Sequence, residues 1–104
     1  MREIVLHYPI TDNNKNPMHQ YVQSCITNLA HTFGGATSYE VDGIWFCDRH
    51  LKYREHCRRV ILAIDPEREQ EVVVQFEIDL RLYGQLAMYW VDCNGEAHCD
   101  TLYC

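Results

Sequence analysis

The sequence predicts an α+β fold, a ferredoxin-like sandwich, on three observations. Two stretches carry apolar residues at helical spacing, each giving a single stripe. The segments around them alternate polar and apolar residues in the manner of half-buried strands. The order of elements is βαββαβ with a terminal strand, and two one-sided helices need one common surface to cover. An antiparallel sheet with both helices on one face is the simplest solution. No linker, repeat or low-complexity stretch interrupts the pattern, so residues 1–104 read as a single domain with one core.

The elements follow in order. Residues 3–10 place Ile4, Leu6, Tyr8 and Ile10 on one side of a strand that Pro9 brings to its end. "TDNNKNP" is dense in turn formers, with Asn16 as N-cap and Pro17 at the first helical position. The first helix spans about Met18 to Phe33, with Val22, Cys25, Ile26, Leu29 and Phe33 as its stripe. Residues 36–46 read as a strand, "CDRHLK" as a hairpin tip, and residues 53–65 as a returning strand with Val60, Leu62 and Ile64 on one face. Asp65-Pro66 opens the second helix, whose stripe is Val72, Val73, Phe76, Leu80 and Tyr83 and whose cap is Gly84. The β-branched run Val72 to Val74 leaves a strand open as the alternative there. "QLAMYWVD" is a strand, Asn94-Gly95 a hairpin turn, and "EAHCDTLYC" a last short strand.

Composition narrows the function classes. With 47% hydrophobic and 23% charged residues the chain is globular, not disordered. A net charge of −6 argues against general affinity for nucleic acid, which depends on Lys and Arg neutralising phosphates. The N-terminus lacks the apolar core of a signal peptide, and the longest apolar run, Val60 to Ile64, is too short for a membrane. Cys104 is the last residue, whereas a prenylation box needs its cysteine where Thr101 stands. The expected location is cytoplasmic, where the six cysteines serve as thiols or metal ligands instead of disulfides.

Gly34 and Gly35 raise the question of a phosphate loop. Such a loop follows a strand and opens a helix, because the anion sits on the free N–H groups of a helix N-terminus. Here the helix comes first and presents its electronegative end. The glycines are expected to stop the helix, one of them in the left-handed conformation.

The Cys and His residues form two groups: Cys47 and His50 at the hairpin tip near His56-Cys57, and Cys93, His98, Cys99 and Cys104 at the C-terminal hairpin. Zinc would draw four N or S ligands from such sets, although neither contains paired C-x-x-C knuckles. No cofactor is expected in the main reading and zinc in the alternative one. Cys25 lies on the apolar stripe and is expected to be an inert thiol. His7 is expected to face away from the helices, and His31 lies at the electronegative end of the first helix. Glu67, Glu69, Glu71, Glu77 and Asp79 read as a solvated helix face. Tyr39, Trp45, Tyr53 and Trp90 are candidates for an aromatic binding surface on the open sheet face, with a core position under the helices as the alternative.

"TDNN", "FGGAT" at residues 33–37, "GIW" at 43–45 and "QLAMYWVDCNGEAH" at 85–98 together resemble a diffuse group of small proteins from phages and other mobile elements. The resemblance covers most of the chain and its motifs are structural. It implies an accessory protein that binds a host or viral protein, and, with the acidity, an inhibitor of a host defence complex. It assigns no catalytic residue and says nothing of the cysteines and histidines.

The leading expectation is thus a non-enzymatic protein-binding module, with a homodimer as the simplest cover for an apolar sheet face. Two alternatives stand beside it: a zinc-stabilised domain, and a small enzyme whose site lies between sheet and helices. A deep polar pocket there would favour the enzyme.

Overall fold

The computed structural model describes residues 1–46 and 52–102. Its elements are β1 (Arg2–Pro9), α1 (His19–Phe33), β2 (Thr37–Phe46), β3 (Lys52–Ile64), a 3-10 turn (Pro66–Arg68) leading into α2 (Glu69–Leu82), β4 (Ala87–Val91) and β5 (Ala97–Thr101). The five strands lie in the order β2-β3-β1-β4-β5, and each neighbouring pair is antiparallel. β1 and β2 therefore run the same way with β3 between them, and β3 and β4 do so with β1 between them. That interleaving is the ferredoxin-like topology. The chain adopts the expected fold class.

The core lies between the sheet and the helices. Strand alternation sends Ile4, Leu6 and Tyr8 of β1 and Val60, Leu62 and Ile64 of β3 to one face. The α1 stripe of Val22, Cys25, Ile26, Leu29 and Phe33 covers that face beside Val72, Phe76 and Leu80 of α2. Each such side chain contributes on the order of 1.5–3 kcal/mol by leaving water. Phe76 meets Tyr8 edge-on with ring centroids 4.9 Å apart, a favoured aromatic geometry. Val72 is fully buried, so packing of the stripe overrides the strand tendency of residues 72–74.

The helix ends differ in part from expectation. Gly34 ends α1 at φ 94°, and its N–H donates to the Ala30 carbonyl at 2.9 Å. The glycines stop a helix, as their order in the chain implied. At the other end Asn16 does not cap α1. The Asp12 carboxylate accepts from the Asn14 and Asn16 N–H groups, each at 2.9 Å, and from the Asn16 side chain at 3.1 Å. This local turn engages Asn16 before it can cap a helix. Pro17 instead pairs with Thr11 in an isolated bridge, and α1 starts at His19 after Met18, without a side-chain cap. β4 likewise starts later than expected. Gln85 is taken up by the end of α2, its N–H donating to Leu80 and its side chain to the Thr11 carbonyl.

No helix of the described residues is long and apolar enough to cross a membrane. Both helices lie on one face, and on the other Tyr39, Arg59, His7, Tyr89 and Cys99 form one row across all five strands.

Candidate functional site

α1 does not cover the whole width of the sheet. Beside its first turn the helix side of β2 and β3 stays open, and a cleft of about 270 Å³ lies there. Its floor is apolar, from Ile10 and Val22. Its walls are polar: His19, Gln20 and Gln23 from α1, Glu40 from β2 and Arg58 from β3. Strand register explains the charged pair, since Glu40 and Arg58 are direct cross-strand partners on the same face. Arg58 Nη2 donates to Ser38 Oγ at 2.9 Å, and Nη1 lies 3.9 Å from Glu40 Oε1. The Arg58 side chain is 28% exposed, and its buried Nε has no hydrogen-bond partner. One step along the same strands, Asp42 pairs with His56. The cleft thus offers a guanidinium, a carboxylate and neutral amides around an apolar floor, which suits a small zwitterion with a flat apolar part.

A second polar group is buried between the helices and β1. Asp79 accepts from Tyr8 OH and from Gln75 Nε2, each at 2.8 Å, and its carbonyl accepts from Tyr21 OH at 2.7 Å. Burial, then the Asp79 charge and hydrogen bond, raise the Tyr8 pKa well above its ordinary value. Burial followed by the Asp79 charge pushes the Cys25 thiol up to about 11. Cys25 is therefore a protonated, inert thiol, as its place on the stripe implied. Asp79 departs from the solvated helix face that the sequence implies: it is buried and satisfied by donors from β1 and its own helix.

The residues named from sequence are not brought to one place. Tyr39 lies on the open sheet face and is 45% exposed. Trp90 does not. It pairs opposite the core residue Leu6, is 9% exposed, and stacks on His98 with centroids 4.2 Å apart. Trp45 and Tyr53 are register partners, and their side chains lie outside the described residues. Cys47, His50 and Cys104 of the zinc reading also lie outside the described residues. Of the rest, Cys93 is half-buried with its N–H on Glu69 Oε1 at 2.9 Å. His98 points to the helix side, where its Nε2 lies 2.7 Å from Asp92 Oδ2. Cys99, its neighbour, is on the opposite face by strand alternation. Cys93, His98 and Cys99 therefore do not converge. Ligand atoms of Asp92, Glu96 and His98 do, within 4.8 Å, but two carboxylates and one imidazole fall short of a structural zinc set.

Sequence reasoning missed Glu40, Arg58, His19, Gln20 and Gln23. A signal existed. Folding the hairpin symmetrically about "CDRHLK" puts Glu40 opposite Arg58 and Asp42 opposite His56, two facing pairs of opposite charge.

No family model matches the chain, and no curated protein matches it significantly. Among solved structures it is similar to a phage SAM lyase in complex with S-methyl-5'-thioadenosine, with a TM-score of 0.69 and 11% identity over 95% of this chain and 88% of that one. A phage SAM lyase in the apo state gives a TM-score of 0.61 and 13% identity over 95% and 86%. Both are an enzyme. An enzyme on this fold overturns the expected non-enzymatic binding module, and the remaining expectation of a small enzyme puts its site between sheet and helices. The polar cleft beside α1 occupies that position.

Proposed function

We propose that this chain is a small phage-type enzyme that cleaves SAM to S-methyl-5'-thioadenosine in the cleft between α1 and β2–β3. The observation that carries the proposal is the fold match, which extends over 95% of this chain and 88% of the lyase. The charge pattern of the cleft supports it.

SAM joins an adenosyl group and a zwitterionic amino-acid arm through a positively charged sulfur. Lyase cleavage breaks the bond between that sulfur and the γ-carbon of the arm while an oxygen of the arm's own carboxylate bonds to that carbon, so the arm leaves as a lactone and no water or external base is consumed. The electron pair stays on sulfur, which becomes the neutral thioether. The sulfonium is its own electron sink, so the protein's task is to place the arm and balance its charges. Arg58 takes the carboxylate of the arm in a charge-assisted hydrogen bond. Glu40 takes the ammonium. A carboxylate set against the sulfur would stabilise the charge that the reaction removes and so slow it, which is why the ammonium is the better partner. Ile10 and Val22 supply apolar surface for the adenosyl group, and the Gln20 and Gln23 amides can donate and accept along a purine edge.

The test is incubation of the purified chain with SAM and detection of S-methyl-5'-thioadenosine by liquid chromatography and mass spectrometry. The expected result is catalytic release that Arg58→Gln reduces severely. Recovery of intact SAM after many enzyme equivalents of time would overturn the proposal.

A further inference from the structure

We infer that the open face of the sheet carries a second ligand site, one for a nucleoside monophosphate, with the phosphate on Arg59 and the base on Tyr39. Arg58 and Arg59 are adjacent on β3 and point to opposite faces. Arg58 has Ser38 and Glu40; Arg59 has no acid opposite it. Its register partners are Tyr39 and His7, and the adjoining rows are Thr37, Ile61 and Val5 on one side and Val41, Cys57 and Pro9 on the other. Arg59 is half-buried, its buried Nε has no hydrogen-bond partner, and among the described residues it makes no ion pair. His7 adds no charge at neutral pH, because burial and the Arg59 charge lower its pKa to about 4. Among the described residues the acids on this face, Glu3 and Glu55, stand about 13 Å along their strands from His7 and Arg59. A partly desolvated guanidinium without a counter-charge is costly, and an anion relieves that cost.

The rest of the ligand follows from Tyr39. It is the cross-strand partner of Arg59, so ring and cation sit about 5 Å apart at their bases. The ring is 45% exposed and has a face to offer. A flat group one strand spacing from an anion describes a nucleotide, its base stacked on the tyrosine as on other open sheets. Among the described residues one cation stands on this face, which matches one phosphate. A polynucleotide would need several, and the chain's net charge of −6 opposes it. This site is independent of the SAM cleft, on the opposite side of the sheet.

The experiment is amide NMR of the ¹⁵N-labelled chain titrated separately with AMP, adenosine and inorganic phosphate. AMP is expected to give saturable shifts centred on Tyr39 and Arg59, with adenosine and phosphate each binding about tenfold more weakly or worse. Arg59→Gln and Tyr39→Ala are each expected to weaken AMP by about tenfold. Both side chains lie outside the core, and an unchanged spectrum elsewhere checks the fold. No saturable shift up to about 10 mM AMP would overturn the inference. So would weakening by Arg58→Gln but not Arg59→Gln, which places the nucleotide in the cleft. Equal binding of phosphate alone would overturn the nucleotide assignment. Shifts at these residues that depend on protein concentration without ligand would make the occupant a second copy and overturn it too.

Discussion

Glu40 and Arg58 face each other across β2 and β3 with 3.9 Å between their charged ends, at the mouth of the cleft beside α1. The pair is too open to matter much for stability, since exposed ion pairs contribute about 0–1 kcal/mol. Its value lies in offering both signs of charge to one ligand. Arg58→Gln and Glu40→Gln are each expected to lower kcat/KM for SAM cleavage by roughly 10–100-fold. Urea denaturation is expected to show stability within about 1 kcal/mol of the parent chain. Full activity in both variants would remove the cleft from the reaction.

Tyr8 and Asp79 test the interior. Tyr8 is fully buried on the central strand and donates to Asp79 Oδ2 at 2.8 Å. Tyr8→Phe leaves the buried carboxylate one donor short, at a cost of roughly 1.5–3 kcal/mol. Denaturant melts of Tyr8→Phe, Asp79→Asn and the double variant measure the coupling, expected at about 1–3 kcal/mol. Additive effects would show that the bond does not hold β1 to α2.

His7 sets a pH dependence whose sign is fixed by its burial. Its pKa is lowered from 6.5 to about 4, so between those values the unfolded chain binds the proton and the folded chain does not. The stability that neutral His7 contributes is full above pH 6.5 and is lost as the pH falls toward 4, by at most roughly 3 kcal/mol. His7→Gln is expected to flatten that part of the curve. Denaturation midpoints of both chains at pH 7 and pH 5 decide it, and parallel losses in the two would contradict the assignment.

The thiols divide by burial. Cys25 is raised to about 11, chiefly by burial and the Asp79 charge, and Cys57 to about 12, chiefly by burial and Glu55. Cys99 is exposed. With a disulfide reagent at pH 7.5, Cys99→Ser is expected to remove one equivalent from the fast phase. Cys25→Ser and Cys57→Ser are expected to leave that phase intact. Loss of fast-phase signal on replacing Cys57 would mean that β3 opens readily.

Much of the fold could be read from residue order because its determinants are local or periodic. The stripe from Val22 to Phe33, the alternation of Ile4, Leu6 and Tyr8, and the Gly34 stop each follow from neighbours in the chain. The failures are tertiary. Asn16 carries a cap signal but bonds Asp12. Asp79 reads as one acid among several until Tyr8 arrives from a strand far away in sequence. Trp90 could not be placed on a face until β4 was paired with Leu6 of β1. The cleft was hidden for the same reason, since Glu40 and Arg58 look like ordinary strand charges until the hairpin register sets them opposite each other.

The most direct measurement is an amide NMR titration of the chain with S-methyl-5'-thioadenosine. The expected result is saturable shifts at Gln20, Gln23, Glu40 and Arg58, lost in Arg58→Gln, with the Asp92–His98 hairpin unmoved. Shifts confined to any other part of the molecule, or none at all, would contradict the assignment of the cleft as the site of SAM cleavage.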